Sequence, residues 1–477
     1  MTAPSAEARY RFGPLERKGL IAGLTAGQVI CMGGGLVVAV LALRTAPTVV
    51  GLVLGVGALL VGTAAAFVPV GGRTAEEWTP VLVRWWAGRV SGARRWRGAD
   101  AAAGRRAPSP PPVLRGTRLL AHDSSEAGRL LGVVHDRLGG VYSAAVAVAG
   151  SGFTLSDGQE KARRLAAWGS VLAGLAREGS VVHRIQWVER SLPGDSSDLQ
   201  LALTERLVPD PPAEAAESYR DLVAGAGPVT PSHQTLLVVA VAPGRCRRQV
   251  RAAGGGEAGA LTLLGREVAV LEANLRGAEI DVSGPLGPGA MVGAVAAGFH
   301  GGAAQWRTAW PVAMETRWDA VGVDGQWHAV YWVAEWPRSE VGPDFLIPLL
   351  LLAPGVRAVA VTMEPVSPRR ATREVEAART SGAADEELRR GGGFLATARR
   401  ARQAEGMARR EAEMADGHSD YRFSGYVDVV APTPSALDRA CSEVEHAAAQ
   451  SRLELRRLYG QQDQALTYVL PMGRGLR

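Results

Sequence analysis

Two uncharged stretches near the start of the chain restrict its fold more than any other feature. Residues 19–43 carry no charged side chain over 25 positions, and after Arg44 a further 28 uncharged residues extend to Arg73. A helix needs about 20 apolar residues to cross a hydrocarbon core of about 30 Å. A signal peptide has a shorter apolar region of about 7–15 residues and no second span after it. The two stretches therefore predict an antiparallel transmembrane hairpin over residues 19–73.

The basic residues around the hairpin predict its orientation. They lie at its two outer ends, with one arginine in the turn: Arg9, Arg11, Arg17 and Lys18 before it, Arg73, Arg84, Arg89, Arg94, Arg95 and Arg97 after it, and Arg44 between the spans. Basic residues stay on the cytoplasmic side of a membrane. We therefore expect a two-helix protein of the cytoplasmic membrane, with both termini, including residues 1–18, in the cytoplasm. Three scattered cysteines agree with a reducing compartment.

Small residues within the hairpin predict close helix packing. They are Gly19, Gly23, Gly27, Gly51 and Gly55, at intervals of four residues in each span. Glycines at this spacing let helix backbones approach closely in lipid, and the amide of Gln28 can hydrogen-bond across such a contact. Two interpretations remain open. The two helices pack on each other, or the glycines form a face for another subunit.

A segment rich in tryptophan and arginine, residues 74–97, follows the second span. It contains Trp78, Arg84, Trp85, Trp86, Arg89, Arg94, Arg95, Trp96 and Arg97. Tryptophan favours the membrane–water interface, and arginine extends its charge to lipid phosphates. A platform that stacks nucleic-acid bases would use the same residue types. Because the segment adjoins a predicted span, we expect it to contact membrane lipids.

The distribution of charge disfavours a nucleic-acid-binding protein. The formal net charge of the 477-residue chain is +6. Residues 1–118 hold 15 basic and 5 acidic side chains, whereas residues 119–477 hold 38 basic and 42 acidic ones. The positive excess therefore lies around the hairpin, where it is a topological signal, and no sequence-specific binding to nucleic acid is expected.

The rest of the sequence predicts an α+β body in two units. Proline-rich residues 98–113 form an extended linker. Residues 114–305 and 306–477 each follow the order hairpin, helix, strand, strand, helix, strand, which predicts two ferredoxin-like units. We expect residues 312–317 to pair directly with a strand at 327–335. We also expect a short helix at 343–352, a strand at 356–363 and a helix at 435–450.

One stretch interrupts the second unit. Residues 366–415 alternate basic and acidic side chains with small residues between them. This pattern is typical of a solvated helical arm. It either connects two strands passively or docks on a partner subunit.

No pattern in the chain indicates catalysis or a metal site. There is no GxxxxGK[ST], HExxH or GxSxG sequence and no GxGxxG directly after a predicted strand, and the eight histidines are isolated. One loop combines arginines with glycines, namely Arg247, Arg248, Arg251, Gly254, Gly255 and Gly256. Such a loop can bind an anion or a partner, but it lacks the lysine and hydroxyl that phosphoryl transfer requires. We therefore expect no enzyme activity, no cofactor and no metal.

Several strings in the chain resemble an actinobacterial membrane-protein family encoded in conjugation-type gene clusters. These strings are RQVRAAGGG (248–256), ETRWD (315–319), HAVYWVAEWPRSEVGPDFLIPLLL (328–351), RRLYGQQDQAL (456–466) and LPMGRG (470–475). Residues 139–175 are similar to the non-catalytic N-terminal domain of type IV secretion (conjugation) ATPases. The resemblance implies two N-terminal transmembrane helices and a cytoplasmic region without the ATPase half. It supplies no catalytic residues.

These observations lead to one main hypothesis and two alternatives. The main hypothesis is a non-enzymatic, membrane-anchored subunit of a conjugation-like, type IV-related secretion apparatus. This subunit would scaffold a separate P-loop ATPase within a homo- or hetero-oligomer. The first alternative is a membrane component of type VII secretion, which gene neighbours encoding small WxG proteins and a subtilisin-like protease would favour. The second is a nucleotide-binding membrane protein that uses the loop at 245–259.

Overall fold

The computed structural model describes most of the chain in eight segments. They are residues 26–98, 109–125, 128–149, 155–192, 212–226, 232–302, 310–374 and 419–476, together with positions 376, 377, 380, 406 and 412. Gly19, Gly23, most of the predicted linker and most of the predicted charged arm lie outside these residues.

Two apolar helices come first. Helix α1 is Ala26–Thr45 and helix α2 is Val49–Phe67, with 20 and 19 residues. Both are long and apolar enough to cross a membrane, and only 11% and 17% of their most apolar windows are buried inside the protein. A core helix of a soluble protein would be mostly buried, so these exposed apolar surfaces agree with a pair of membrane spans. The prediction of two N-terminal apolar helices is confirmed.

Strands and helices then alternate along the body. The strands of the described residues are β1 (Arg95–Arg97), β2 (Thr117–Ser124), β3 (Arg129–Asp136), β4 (Val141–Val148), β5 (Val182–Leu192), β6 (Ser232–Val241), β7 (Val282–Pro285), β8 (Ala313–Thr316), β9 (Val321–Val323), β10 (Gln326–Glu335), β11 (Val356–Val366), β12 (Asp420–Ala431) and β13 (Glu454–Arg457). The further helices are α3 (Ala75–Val90), α4 (Gly158–Leu175), α5 (Ala213–Ala226), α6 (Arg247–Ala252), α7 (Gly256–Gly277), α8 (Pro288–His300), α9 (Pro434–Gln450) and α10 (Gln462–Leu466), with a π-helix at Pro348–Leu352.

All of these strands belong to one sheet. Its order is β1-β8-β9-β10-β12-β11-β5-β6-β4-β3-β2, with β13 paired to β10 and β7 paired to β4. Each pairing in the sheet is antiparallel. Two apolar helices followed by an antiparallel sheet with helices confirm the predicted α+β class.

The two halves of the sheet have the same connectivity. In the first half, β7, β4, β6 and β5 are neighbours in that order, and β13, β10, β12 and β11 repeat it in the second half. The halves meet where β5 pairs with β11, with Arg357 opposite Ser191 at one end and Met363 opposite Ile185 at the other. The two predicted units therefore share a single sheet. Strand β5, at the edge of the first half, hydrogen-bonds to strand β11, at the edge of the second half.

Apolar layers cover both faces of this sheet. On one face, α4 and α7 contribute Leu175 and Leu264 to a core over the first half, and α9 contributes Leu437 to a core over the second. On the other face, α8 and the residues around α10 bury Phe299 and Leu466 against strands of both halves. The second part of β6, residues 236–241, is therefore a continuous apolar sequence, because both faces of the strand are buried there.

Two local predictions are wrong. Strand β8 pairs with β1 and β9 and not with β10, because the three-residue strand β9 lies between them. The turn that makes this possible is Asp324-Gly325, with φ values of 46° and 89°. The helix expected at residues 343–352 is reduced to the five-residue π-helix.

Candidate functional site

The two apolar helices approach each other most closely at two glycines outside the predicted set. A β-carbon added to Gly35 would lie 2.9 Å from the carbonyl oxygen of Ala58 and 3.3 Å from the α-carbon of Gly62. One added to Gly62 would lie 2.8 Å from the carbonyl oxygen of Cys31. The backbones therefore approach most closely at Gly35 and Gly62. The signal was present in the sequence, because Cys31, Gly35 and Ala39 continue the four-residue spacing once cysteine and alanine count as small residues.

Among the predicted packing residues that the structure describes, Gly55 and Gln28 lie between the two helices, whereas Gly51 and Gly27 have other neighbours. Gly55 faces Ala39 of α1, at 3.6 Å from an added β-carbon to its α-carbon, and Gly51 lies against the turn between the helices. Gly27 is covered by the side chain of Glu76 from α3. The Nε2 atom of Gln28 donates a hydrogen bond to the carbonyl oxygen of Ala66 at 3.2 Å, so this side-chain amide bridges the two helices as predicted.

Seven residues connect α2 to α3, and α3 begins with a capping box. The backbone N–H of Thr74 donates to the Glu77 carboxylate at 3.2 Å, and the Thr74 side chain accepts from the backbone of Glu77 in return. Trp78 Nε1 donates to the carbonyl oxygen of Val70 at 2.8 Å, which folds the connecting turn back on the helix. The T-x-x-E sequence before Trp78 is a start signal that the sequence contained.

An aromatic cluster joins α3 to the body. The ring of Trp318 stacks on Trp78 with 5.9 Å between ring centroids and meets the edge of Trp85 at 5.1 Å. Tyr459 also stacks on Trp318, with 6.4 Å between ring centroids. Gly460 provides the space for this contact, because a β-carbon there would lie 2.7 Å from the Trp318 ring and 2.9 Å from Val81. We call this contact, formed by Trp78, Val81, Trp85, Trp318, Tyr459 and Gly460, the joint.

Polar contacts and a strand extend the joint. Arg84 pairs with Asp463 at 3.0 Å, and Arg456 Nη1 donates to the carbonyl oxygen of Gly72 at 2.7 Å. The guanidinium of Arg94 lies 3.4 Å from the centroid of the Trp85 ring. Strand β1 then pairs with β8 and becomes the edge of the sheet. The membrane-proximal segment is therefore built into the body at two successive elements.

The joint divides the predicted membrane-interface residues into two groups. Trp78, Arg84 and Trp85 contact the body, Arg94 covers Trp85, and Trp96 of β1 packs against the core. Trp86 is exposed, with the Arg89 guanidinium 5.6 Å above its ring, and Arg95 and Arg97 are exposed on the edge strand. Contact with lipid stays a prediction for the second group.

The predicted arginine and glycine loop forms the corner between α6 and α7. Gly254, Gly255 and Gly256 have φ values of 110°, 73° and 55°, a left-handed run that glycine adopts without steric cost. Arg247, Arg248 and Arg251 are exposed on α6. The first turn of α7 carries Glu257, whose carboxylate accepts from the Tyr142 hydroxyl at 3.3 Å. The positive end of α7 therefore already has an anionic side chain beside it.

A buried polar cluster lies in the centre of the sheet, where no sequence pattern indicated one. Arg190 is 2% exposed and donates to the carbonyl oxygen of Ala294 at 2.6 Å, next to the Asp428 carboxylate. His328 bonds Asp428 at 2.9 Å and the carbonyl oxygen of Phe299 at 2.9 Å. Burial lowers the pKa of Arg190 to about 10. Burial opposes the charged form of His328, but Asp428 and the Phe299 carbonyl outweigh it and raise the His328 pKa.

The C-terminal segment crosses the junction of the two halves. Gln186 of β5 donates to the carbonyl oxygen of Tyr468 at 2.7 Å and accepts from the backbone N–H groups of Met472 and Gly473 at 3.1 and 2.8 Å. The buried Gln186 side chain therefore links strand β5 to the C-terminal segment. Among the described residues there is also no group of three or more His, Cys, Asp or Glu side chains that could hold a metal.

One family model matches part of the chain. It is described as "Putative type VII ESX secretion system translocon, EccE", and it matches residues 229–333, about a fifth of the chain. The match runs from β6 to β10 and includes the α6–α7 corner and Trp318 of the joint. No curated protein matches the chain.

This match corrects the main functional hypothesis. Three of the strings that suggested a conjugation-type family lie wholly or partly inside the matched residues, yet the matching family is one of type VII secretion. The assignment to a type IV-related apparatus is therefore wrong, and nothing supports the similarity to type IV ATPases. The alternative, a type VII membrane component, agrees with the match. The strings within residues 229–333 were therefore attributed to the wrong secretion machine.

Proposed function

We propose that this protein is a membrane-anchored component of a type VII ESX secretion translocon. The observation that carries the proposal is the EccE match over residues 229–333, in a chain that begins with two helices apolar enough to span a membrane. The basic residues flanking the hairpin support a two-span topology with both termini in the cytoplasm. The joint would then hold the sheet against the inner face of the membrane.

The body acts as a scaffold and not as an enzyme. In its polar interior, His328 bonds to Asp428 and to the Phe299 carbonyl, and Arg190 donates to the Ala294 carbonyl, as structural polar groups do. The strand order β7-β4-β6-β5, with helices after β4 and β6, supports the interpretation of the first half as a ferredoxin-like unit, and the same strand order in the second half supports it there. Two such units sharing one sheet give a wide, rigid surface on which other proteins can dock.

Other translocon subunits are the partners that this function requires, including a separate P-loop ATPase. The chain itself contains no GxxxxGK[ST] sequence, so energy for transport has to come from another protein. The exposed α6–α7 corner, with Arg247, Arg248 and Arg251, is a candidate contact for an acidic partner surface.

Affinity purification of the full chain from native membranes tests the proposal. We expect the other subunits of an ESX translocon, including its ATPase, to co-purify with the tagged protein. Deletion of the gene should abolish export of the small WxG proteins of the same system, and the wild-type chain should restore it. Unchanged export in the deletion strain, with no translocon subunit recovered, would refute the function.

A matched pair of variants separates anchoring from docking. Arg248→Ala with Arg251→Ala changes only the exposed corner, whereas Trp318→Ala changes the joint. If the corner binds a subunit, its variant should lose that subunit while the protein stays in the membrane fraction. If the corner variant recovers every subunit as well as the wild type does, the α6–α7 corner is not part of the interface.

A further inference from the structure

Helix α3 exposes an apolar stripe beside the face that forms the joint. Leu82, Val83, Trp86 and Val90 are 42%, 64%, 59% and 85% exposed. Their spacing places them within about 100° of the helix circumference, because each residue advances about 100°. Val81 and Trp85 point to the body from an adjoining face. Helix α3 therefore contacts the body with one face and exposes the apolar stripe on the adjoining face.

The position of α3 indicates what covers this stripe. The Glu76 side chain in its first turn lies directly against Gly27, near the start of α1. Gly71 and Gly72 reverse the chain after α2, with φ values of 57° and 75°, so the seven connecting residues do not extend away from the hairpin. If the hairpin spans the membrane, α3 lies at its boundary, on the cytoplasmic side according to the flanking charges.

The chemistry of the stripe fits that boundary. Tryptophan and branched aliphatic side chains lie at the junction of headgroups and acyl chains, and neighbouring arginines extend to phosphates. Arg89 lies over the Trp86 ring, and Arg95 and Arg97 follow on the exposed edge strand. Contiguous exposed apolar residues on a protein mark an interaction surface.

We propose that α3 lies in the membrane interface, with Leu82, Val83, Trp86 and Val90 in the lipid and Trp78 and Trp85 held by the body. Interfacial helices of this kind enter the bilayer by about 5–10 Å. Because one face is in lipid and the adjoining face is fixed to Trp318, the helix sets the angle at which the sheet meets the membrane. This inference rests on the membrane anchoring of the hairpin and not on the assignment to type VII secretion.

Two adjacent tryptophans provide the test. The full chain is reconstituted in nanodiscs of phosphatidylcholine and phosphatidylglycerol, with or without bromine on the acyl chains, and bromine-dependent quenching of tryptophan fluorescence is measured. Trp86→Phe should lose a measurable part of this quenching. Trp85→Phe should retain all of it, because that ring is covered by Trp318 and Arg94. Loss with both variants, or with neither, would overturn the proposal.

A photocrosslinking measurement identifies the occupant directly. A benzophenone amino acid replaces Val83 in one variant and Leu222 of α5 in the other, two apolar side chains of equal exposure at 64% and 65%. We expect a lipid adduct at position 83, several-fold more abundant than at position 222. A protein adduct at position 83, or equal lipid adducts at both, would show that the stripe is not lipid-facing. Neither result would bear on co-purification of the translocon, so the two proposals fail separately.

Discussion

Trp318 of the body and Trp78 of α3 stack with nearly parallel rings, 14° apart in plane and 5.9 Å between centroids. One residue belongs to the membrane-proximal segment and the other lies 240 positions later in the sequence. Their contact fixes how the membrane part of the protein meets the sheet, since Trp85 and Tyr459 pack on the same ring.

Trp318→Ala should release α3 from the body while the sheet stays folded. Aromatic pairs contribute about 0.5–1.5 kcal/mol each beyond the area they bury, and Trp318 makes three. A loss of about 2 kcal/mol makes the open form about 30-fold more populated. Limited trypsin digestion of the full chain in detergent should therefore cut at Arg84 and Arg89 at least tenfold faster. Trp336→Ala, which removes a half-buried ring elsewhere, is the control and should not accelerate these cuts.

Gly62→Leu should force the two apolar helices apart. Its α-carbon faces Gly35, so a larger side chain needs space that the backbones occupy. Spin labels on exposed positions of α1 and α2 should report a wider separation, towards the roughly 8–10 Å between axes that larger side chains require. Gly57→Leu is the matched control, because nothing lies within 4 Å of its β-carbon position. An unchanged distance in the Gly62 variant would contradict the packing.

Arg190→Met should destabilise the body. The substitution removes the guanidinium donor from the Ala294 carbonyl and a buried positive charge that acts on the Asp428 carboxylate. Leaving a buried polar group without its partner costs about 1–3 kcal/mol. The loss should appear in urea denaturation of the detergent-solubilised chain, followed by near-ultraviolet circular dichroism. Arg163→Met removes a half-exposed ion pair of α4 and should have a much smaller effect on stability.

The second substitution in the Arg190 series distinguishes charge from packing. Asp428→Asn added to Arg190→Met removes the buried carboxylate on which the Arg190 charge acts, so part of the lost stability should return. If the double variant is as unstable as the sum of the single ones, packing and not electrostatics explains the loss.

The body should lose stability as the pH falls from 7 to 5, in part through His183. Burial, together with Arg184 and Arg245, lowers the pKa of this histidine to about 4. In the unfolded chain its pKa is about 6.5, so between these values the unfolded state binds more protons. The contribution is complete above pH 6.5 and declines below it, by about 2 kcal/mol at pH 5. His183→Gln should flatten the pH profile of urea stability between 5 and 7, and His446→Gln, on an exposed part of α9, should not.

The elements of the body could be read from the sequence because their signals are local. The strand at residues 356–363 and the helix at 435–450 were predicted close to their observed bounds, Val356–Val366 and Pro434–Gln450. The start of α3 was missed although Thr74 and Glu77 form a capping box. Strand β1 was missed because its three residues, Arg95, Trp96 and Arg97, carry no alternation that identifies a strand.

The candidate site, too, could be predicted from the sequence only as far as local patterns reach. The sequence identified a group of tryptophans and arginines after the second span, but it assigned Trp85 and Trp86 to the same lipid environment. Their separation depends on Trp318, Tyr459 and Gly460, which reach α3 only when the sheet has folded.

The sequence by itself determined the apolar hairpin, the α+β class and the order of elements, because hydrophobic length and periodicity are properties of neighbouring residues. Tertiary structure decided that β5 pairs with β11 to make one sheet and that His328 bonds to Asp428. It also decided that Trp78 and Trp85 turn to the body while Trp86 does not. These contacts join residues tens to hundreds of positions apart, and their free energy depends on geometry that no local pattern encodes.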